Sequence, residues 1–185
     1  MSKPSIRNLS RPFDYRNDDV LAVFREIEDH PPRSAAIVAG ALVEDSLRWS
    51  METRFINGLA DEDLCGVFEG ESAPLASFRA KIIMGYVLGM YGTAARNDLR
   101  AIKRIRNAFA HAPRSITFET PQIVDECRGL GYLRAAKGNA DRKIMPLQSP
   151  LPTDLKKLFF ATVRILYLDL HVVGSDYAVQ LGGMP

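Results

Sequence analysis

Leu99-Arg100-Ala101-Ile102-Lys103-Arg104-Ile105-Arg106-Asn107-Ala108-Phe109-Ala110-His111, followed by Pro113, is the stretch on which the fold turns. At about 100° per residue, Ile102, Ile105 and Phe109 share one face with Leu99 at its edge. Arg96, Arg100, Arg104, Asn107 and His111 share the opposite face. One apolar arc and one stripe of donors predict an amphipathic helix packed on a core. Arg106 is the exception, because the same arithmetic sets it between Leu99 and Ile102, on the margin of the apolar arc.

Similar punctuation recurs on both sides. Residues 1–17 are polar, basic and broken by Pro4 and Pro12, and read as a flexible arm. Asp18 can cap a helix to about His30, ended by Pro31 and Pro32, and a longer helix is expected from Ser34 to Asn57 with Gly58 as its stop. Asp61 is read as the cap of a short piece through Phe68, and Gly70 to Pro74 as a loop. Leu75 to Tyr91 reads as a helix closed by Gly92, with Thr93 capping the motif helix. Thr120-Pro121 opens a short helix ending near Gly129, with proline in the first turn where its missing N–H costs nothing. Tyr132 to Pro152 reads as an extended excursion, with a small hairpin around Lys137-Gly138-Asn139. Thr153 then caps a last long helix to about Val173, and residues 176–185 read as a loose tail. No alternating strand pattern persists outside the excursion, so the expectation is one all-α bundle over residues 18–175, with about five main helices plus short ones.

Composition agrees with one domain. With 185 residues, 46% of them hydrophobic and 25% charged, the chain can bury one sizeable core. A formal charge of +2 does not announce a nucleic-acid binder, although Arg96, Arg100, Lys103, Arg104, Arg106 and Arg114 cluster while Asp61, Glu62, Asp63, Glu69 and Glu71 form a separate acidic stretch. Cys65 and Cys127 have no metal-like spacing and follow no apolar leader, and no apolar run is long enough to span a bilayer. These features fit a reduced, cytoplasmic protein with no membrane association.

Arg106 and His111 are residue types that phosphate chemistry uses, a fixed fork of donors and a group that titrates near neutrality. A guanidinium at the margin of a packing face needs a carboxylate or a wet cleft. The helix beginning at Ser34 offers one: its apolar face is Ala36, Gly40, Val43, Leu47 and Met51, and Glu44 falls at its edge. A Glu44–Arg106 ion pair is therefore expected, with Asp45, on a different side, the weaker candidate. His111 stands in the last turn, at the carbonyl end of the helix. Five residues separate it from Arg106, roughly 140° around an intact helix, so the two converge only if the helix end relaxes or a second subunit completes a site. Read structurally, Arg106 is a satisfied ion pair, Asn107 and His111 are helix-end polar groups, and the basic stripe is solvated.

Asn97 to His111 resembles the signature of the mannitol operon repressor (MltR) family, as does Leu75 to Gly89 with its Phe-x-x-Lys-Ile and Leu-Gly pattern, and the block Ala41-Leu42-Val43-Glu44-Asp45-Ser46-Leu47. The resemblance spans about Ser34 to Leu130. That family is similar to the wider HEPN group of helical domains, in many of which an Arg-x4-His motif forms a metal-independent ribonuclease site across a dimer cleft. On that resemblance Arg106 and His111 map onto the motif, with Asn107 the polar residue after the arginine. The imidazole would move protons for attack by a ribose 2′-hydroxyl, and the guanidinium would steady the transition-state phosphate.

Two functions are thus in view. The first is an MltR-like transcriptional regulator, a regulatory interaction protein acting through a protein partner such as a transcription factor, dimeric, and lacking a recognisable DNA-reading motif. Arg100, Arg104, Asn107 and His111 are its candidate binding residues. The second is a HEPN-type endoribonuclease acting on RNA through Arg106 and His111. A helix-turn-helix formed by Leu75 to Tyr91 and the basic helix is a weaker reading, because the basic face is continuous rather than concentrated at the amino end. No glycine-rich phosphate loop, zinc-spaced His/Cys cluster or nucleophile elbow is present, so neither cofactor nor metal is implied. His30 and His171 are scattered; His171, with Trp49, Met51 and Phe55, is read as packing.

Overall fold

The computed structural model describes residues 19–55, 59–137 and 151–173. Among these, eight helices follow one another without a strand: α1 (Asp19–Asp29), α2 (Pro32–Glu52), α3 (Asp61–Phe68), α4 (Phe78–Val87), α5 (Thr93–His111), α6 (Pro121–Arg128), α7 (Tyr132–Lys137) and α8 (Leu155–Val173). The architecture is an all-α bundle, five longer helices with α3, α6 and α7 as short pieces. The arm at 1–17, the Asp18 cap, Gly58, the turn at Gly138-Asn139 and the tail at 176–185 lie outside the described residues.

Helix α2 is the hub, packing against α8, α5, α1 and α4. Ala35, Ala36, Ala39 and Gly40 give it a thin profile, and Val43, Leu47 and Met51 extend the same buried face. Leu99, Ile102, Ile105 and Phe109 of α5 are fully buried, each such side chain contributing about 1.5–3 kcal/mol of transfer free energy. Helix α8 is apolar nearly all round, as a helix enclosed by neighbours must be. One buried cluster draws on every helix, from Val20 to Leu170.

Several boundaries differ from those expected, each for a local reason. Pro32 opens α2 at its first position instead of ending α1, because a proline there forfeits no hydrogen bond. The helix stops at Glu52, where Thr53 Oγ1 donates to the Ser50 carbonyl. Asp61 lies in the first turn of α3, and Asp63 supplies the cap by accepting the Ala60 N–H. Helix α4 is shorter than Leu75 to Tyr91: Ser77 Oγ accepts the Ala80 N–H at its start, and Gly89, at φ 66°, ends it. There the Gly89 N–H reaches the Tyr86 carbonyl and the Met90 N–H reaches Gly85, a paired closure that favours glycine at the left-handed position. Gly92 is the residue before α5 and Thr93 its first. Asp154, one residue beyond Thr153, receives the Lys157 N–H and caps α8.

Tyr132 to Lys137 is helix rather than extended chain. Its cause lies on another element: Asp98, buried on α5, accepts the N–H groups of Gly131 and Tyr132 at 2.8–3.1 Å and caps α7 from outside. Burial raises the Asp98 carboxyl above the usual range, and these N–H bonds oppose that rise. Tyr132 in turn donates its hydroxyl to Asp169 of α8 at 2.7 Å.

At the far end of α8, His171 is buried, with its ring stacked on the half-buried Trp49 at 4.8 Å between centroids. The expectation of a satisfied packing histidine holds for one nitrogen. Nδ1 lies 2.7 Å from the Tyr167 carbonyl and must carry the proton, leaving Nε2 buried with no hydrogen-bond partner among the described residues. Burial lowers the imidazole pKa, since a second proton would put an unpartnered cationic N–H in the core. The unfolded chain accepts that proton first as pH falls, so the contribution to stability is complete above about pH 6.5 and declines below it. Thermal unfolding followed by circular dichroism should show the melting temperature dropping as pH falls through that value. His171→Phe, which keeps a ring against Trp49, should flatten that drop; an unchanged slope would assign it to other groups.

Candidate functional site

Arg106 leaves α5 at the edge of its apolar face and runs across α2 at Gly40, where a Cβ would sit 2.8 Å from Arg106 Cγ. The missing side chain is what gives the guanidinium stem its path. Arg106 Nη2 donates to Glu44 Oε2 at 2.5 Å, while Nη1 donates to Asn107 Oδ1 at 3.2 Å. The structure thus brings Glu44 and Arg106 together; Asp45 is exposed and takes no part in this contact.

A third charge completes the cluster. Lys81 of α4 donates from Nζ to Glu44 Oε1 at 2.7 Å and to the Ala76 carbonyl at 3.2 Å. Side-chain exposure is 7% for Lys81, 15% for Glu44 and 29% for Arg106, so one carboxylate is held between two cations at a largely dry junction of three helices. Phe78 closes the site, with its ring centroid 6.0 Å from the Arg106 guanidinium. Lys81 has a signal in the sequence as well: it shares an arc with the buried Phe78, Ile82 and Gly85, a charge among apolar positions just like Arg106 and Glu44.

His111 is exposed in the last turn of α5. The helix end does not relax, for the Ala112 N–H still reaches the Ala108 carbonyl at 2.9 Å. Arg33 of α2 then donates from Nη2 to the carbonyls of Ala112 and Arg114 at 2.8 and 2.9 Å, fixing the chain as it leaves the helix. With regular geometry through His111, its side chain projects roughly 140° away from that of Arg106. The chain by itself therefore leaves the Arg-x4-His pair split.

The basic stripe divides as well. Arg104 makes a two-pronged ion pair with Glu126 of α6 at 2.6 and 2.7 Å, and Asn107 is engaged by Arg106. Arg96 lies over the Tyr86 ring at 4.0 Å, with its Nε buried and without a hydrogen-bond partner among the described residues. Arg100 is exposed and opens onto a groove of about 230 Å3 between α4 and α5, lined by Arg79, Ile82, Ile83, Arg100, Lys103 and Arg104. Of the proposed binding residues, Arg104 and Asn107 are thus tied to neighbouring side chains, while Arg100 and His111 face outward. Among the described residues no group of three or more His, Cys, Asp or Glu side chains is placed to hold a metal ion, and no helix is long and apolar enough to cross a membrane.

Comparison with known proteins adds no relative: no family model, curated protein or solved structure matches the chain.

The cluster predicts an order of mutational costs. Glu44→Ala leaves two cations facing each other at a junction with little water and should cost about 3–5 kcal/mol in chemical denaturation. Arg106→Met, which keeps an unbranched stem over Gly40 and leaves Lys81 paired with Glu44, should cost clearly less. Gly40→Ala forces Arg106 aside and should cost about 1–3 kcal/mol, an effect largely absorbed when Arg106 is already methionine.

Proposed function

We propose that the chain is a regulatory interaction protein of the mannitol operon repressor type, cytoplasmic and dimeric, acting through a protein partner such as a transcription factor. The observation that carries this reading is the commitment of Arg106 to Glu44. A ribonuclease of the Arg-x4-His kind requires that guanidinium to meet a scissile phosphate beside an imidazole. Here it is spent on a carboxylate shared with Lys81, and His111 points elsewhere on a helix that stays regular to its end. What remains available for recognition is surface: Arg100 and His111 on α5, and exposed apolar side chains on α4.

The test is direct. Purified protein incubated with single-stranded RNA in the presence of a chelator should leave the RNA intact, and His111→Ala should behave like the parent. Cleavage that disappears in both His111→Ala and Arg106→Ala would overturn the reading in favour of a nuclease whose site is completed by a second subunit.

A further inference from the structure

The α4–α5 seam has two unlike ends that one kind of ligand would satisfy. Joined by the short turn after Val87, the two helices run antiparallel, so Arg79, Ile82 and Ile83 of α4 meet Arg100, Lys103 and Arg104 of α5 across the groove. Arg104 is neutralised by Glu126. Arg79, Arg100 and Lys103 have no carboxylate within ion-pair distance among the described residues. Toward the turn the surface changes character. Ile83, Met84, Val87 and Leu88 are 43%, 39%, 72% and 48% exposed, four of the five large apolar side chains left exposed among the described residues. Positions 79, 83 and 87 follow one another at helical spacing, so Arg79, Ile83 and Val87 form one continuous stripe, while Met84 and Leu88 lie about 100° further round the helix.

We infer that this seam docks an acidic amphipathic helix of a protein partner, with its carboxylates on Arg79, Arg100 and Lys103 and its apolar side chains on Ile83 and Val87. Charge complementarity selects the acidic end, and the uncovered apolar stripe selects a peptide over a simple anion. A nucleic-acid backbone would meet the cations but leave the apolar stripe unmatched, and Glu126 interrupts the cationic track such a polymer would follow. Size agrees too. Ten residues of α4 present roughly 15 Å of surface, about three turns of a partner helix, and a groove of about 230 Å3 takes side chains rather than a whole second helix. The inference rests on the reading of the chain as an interaction protein and names the chemistry of what it binds.

Fluorescence anisotropy with a labelled synthetic helix of about 16 residues, leucine on one face and glutamate on the other, tests it. Three comparison probes are needed: the same peptide with lysine for glutamate, polyglutamate, and a single-stranded RNA oligonucleotide. The acidic amphipathic peptide should bind best, and both Val87→Glu and the double variant Arg100→Glu, Lys103→Glu should weaken it about tenfold or more while melting like the parent. The double variant should gain affinity for the lysine peptide, a reversal that general loss of structure would not produce. Equal binding of polyglutamate, tighter binding of RNA, or acidic-peptide binding that is absent or insensitive to these substitutions would overturn the inference. If RNA stays uncleaved in the nuclease assay while the peptide fails, only this inference falls; cleavage would remove the reading beneath it.

Discussion

One carboxylate joins three helices. Glu44 accepts from Lys81 through one oxygen and from Arg106 through the other, so α2, α4 and α5 are joined by charge where their apolar faces meet. Each partner alone would be costly at that depth, and together they satisfy one another with one cation in excess. The excess falls on the side chain that is 29% exposed, where water can share it. Gly40 is part of the same device, since any side chain there would occupy the path of Arg106 across α2.

That junction governs how the motif on α5 is read. An arginine and a histidine five residues apart suggest a phosphate-handling pair, but helix geometry separates them and the ion cluster draws the arginine inward. Arg33, by holding the carbonyls of Ala112 and Arg114, keeps the chain from unwinding at the point where unwinding would bring the histidine around. The outward half of α5 is left with Arg100 and Lys103 against the apolar flank of α4, a surface suited to recognition.

A second set of buried polar contacts organises the other half of the bundle. Asp98 caps α7 from α5, Tyr132 carries the link on to Asp169 of α8, and α8 closes against α2, where His171 stacks on Trp49. Residues that look like interruptions of apolar faces are in each case the points at which one helix fixes another.

Much of this was legible in the sequence. The 3.6-residue period decided the helices and their buried faces, because burying an apolar stripe dominates the free energy of a helix in water. It also placed Glu44 and Arg106 at the margins of their faces, and opposite charges at two packing margins have few other places to go. Boundaries were less legible, since a proline can end one helix or begin the next and only the neighbouring hydrogen bonds decide which. The helix at Tyr132 was not legible at all, because its cap, Asp98, lies more than thirty positions earlier in the chain. Lys81 could be seen as a charge in an apolar arc, but that it shares the carboxylate of Glu44 depends on where α4 lies against α2. The sequence by itself determined an all-helical chain and which faces of its helices would be dry. Only the tertiary structure decided which charges meet, because a buried charge takes its partner from whatever element packing brings within about 3 Å, and chain separation places no limit on that choice.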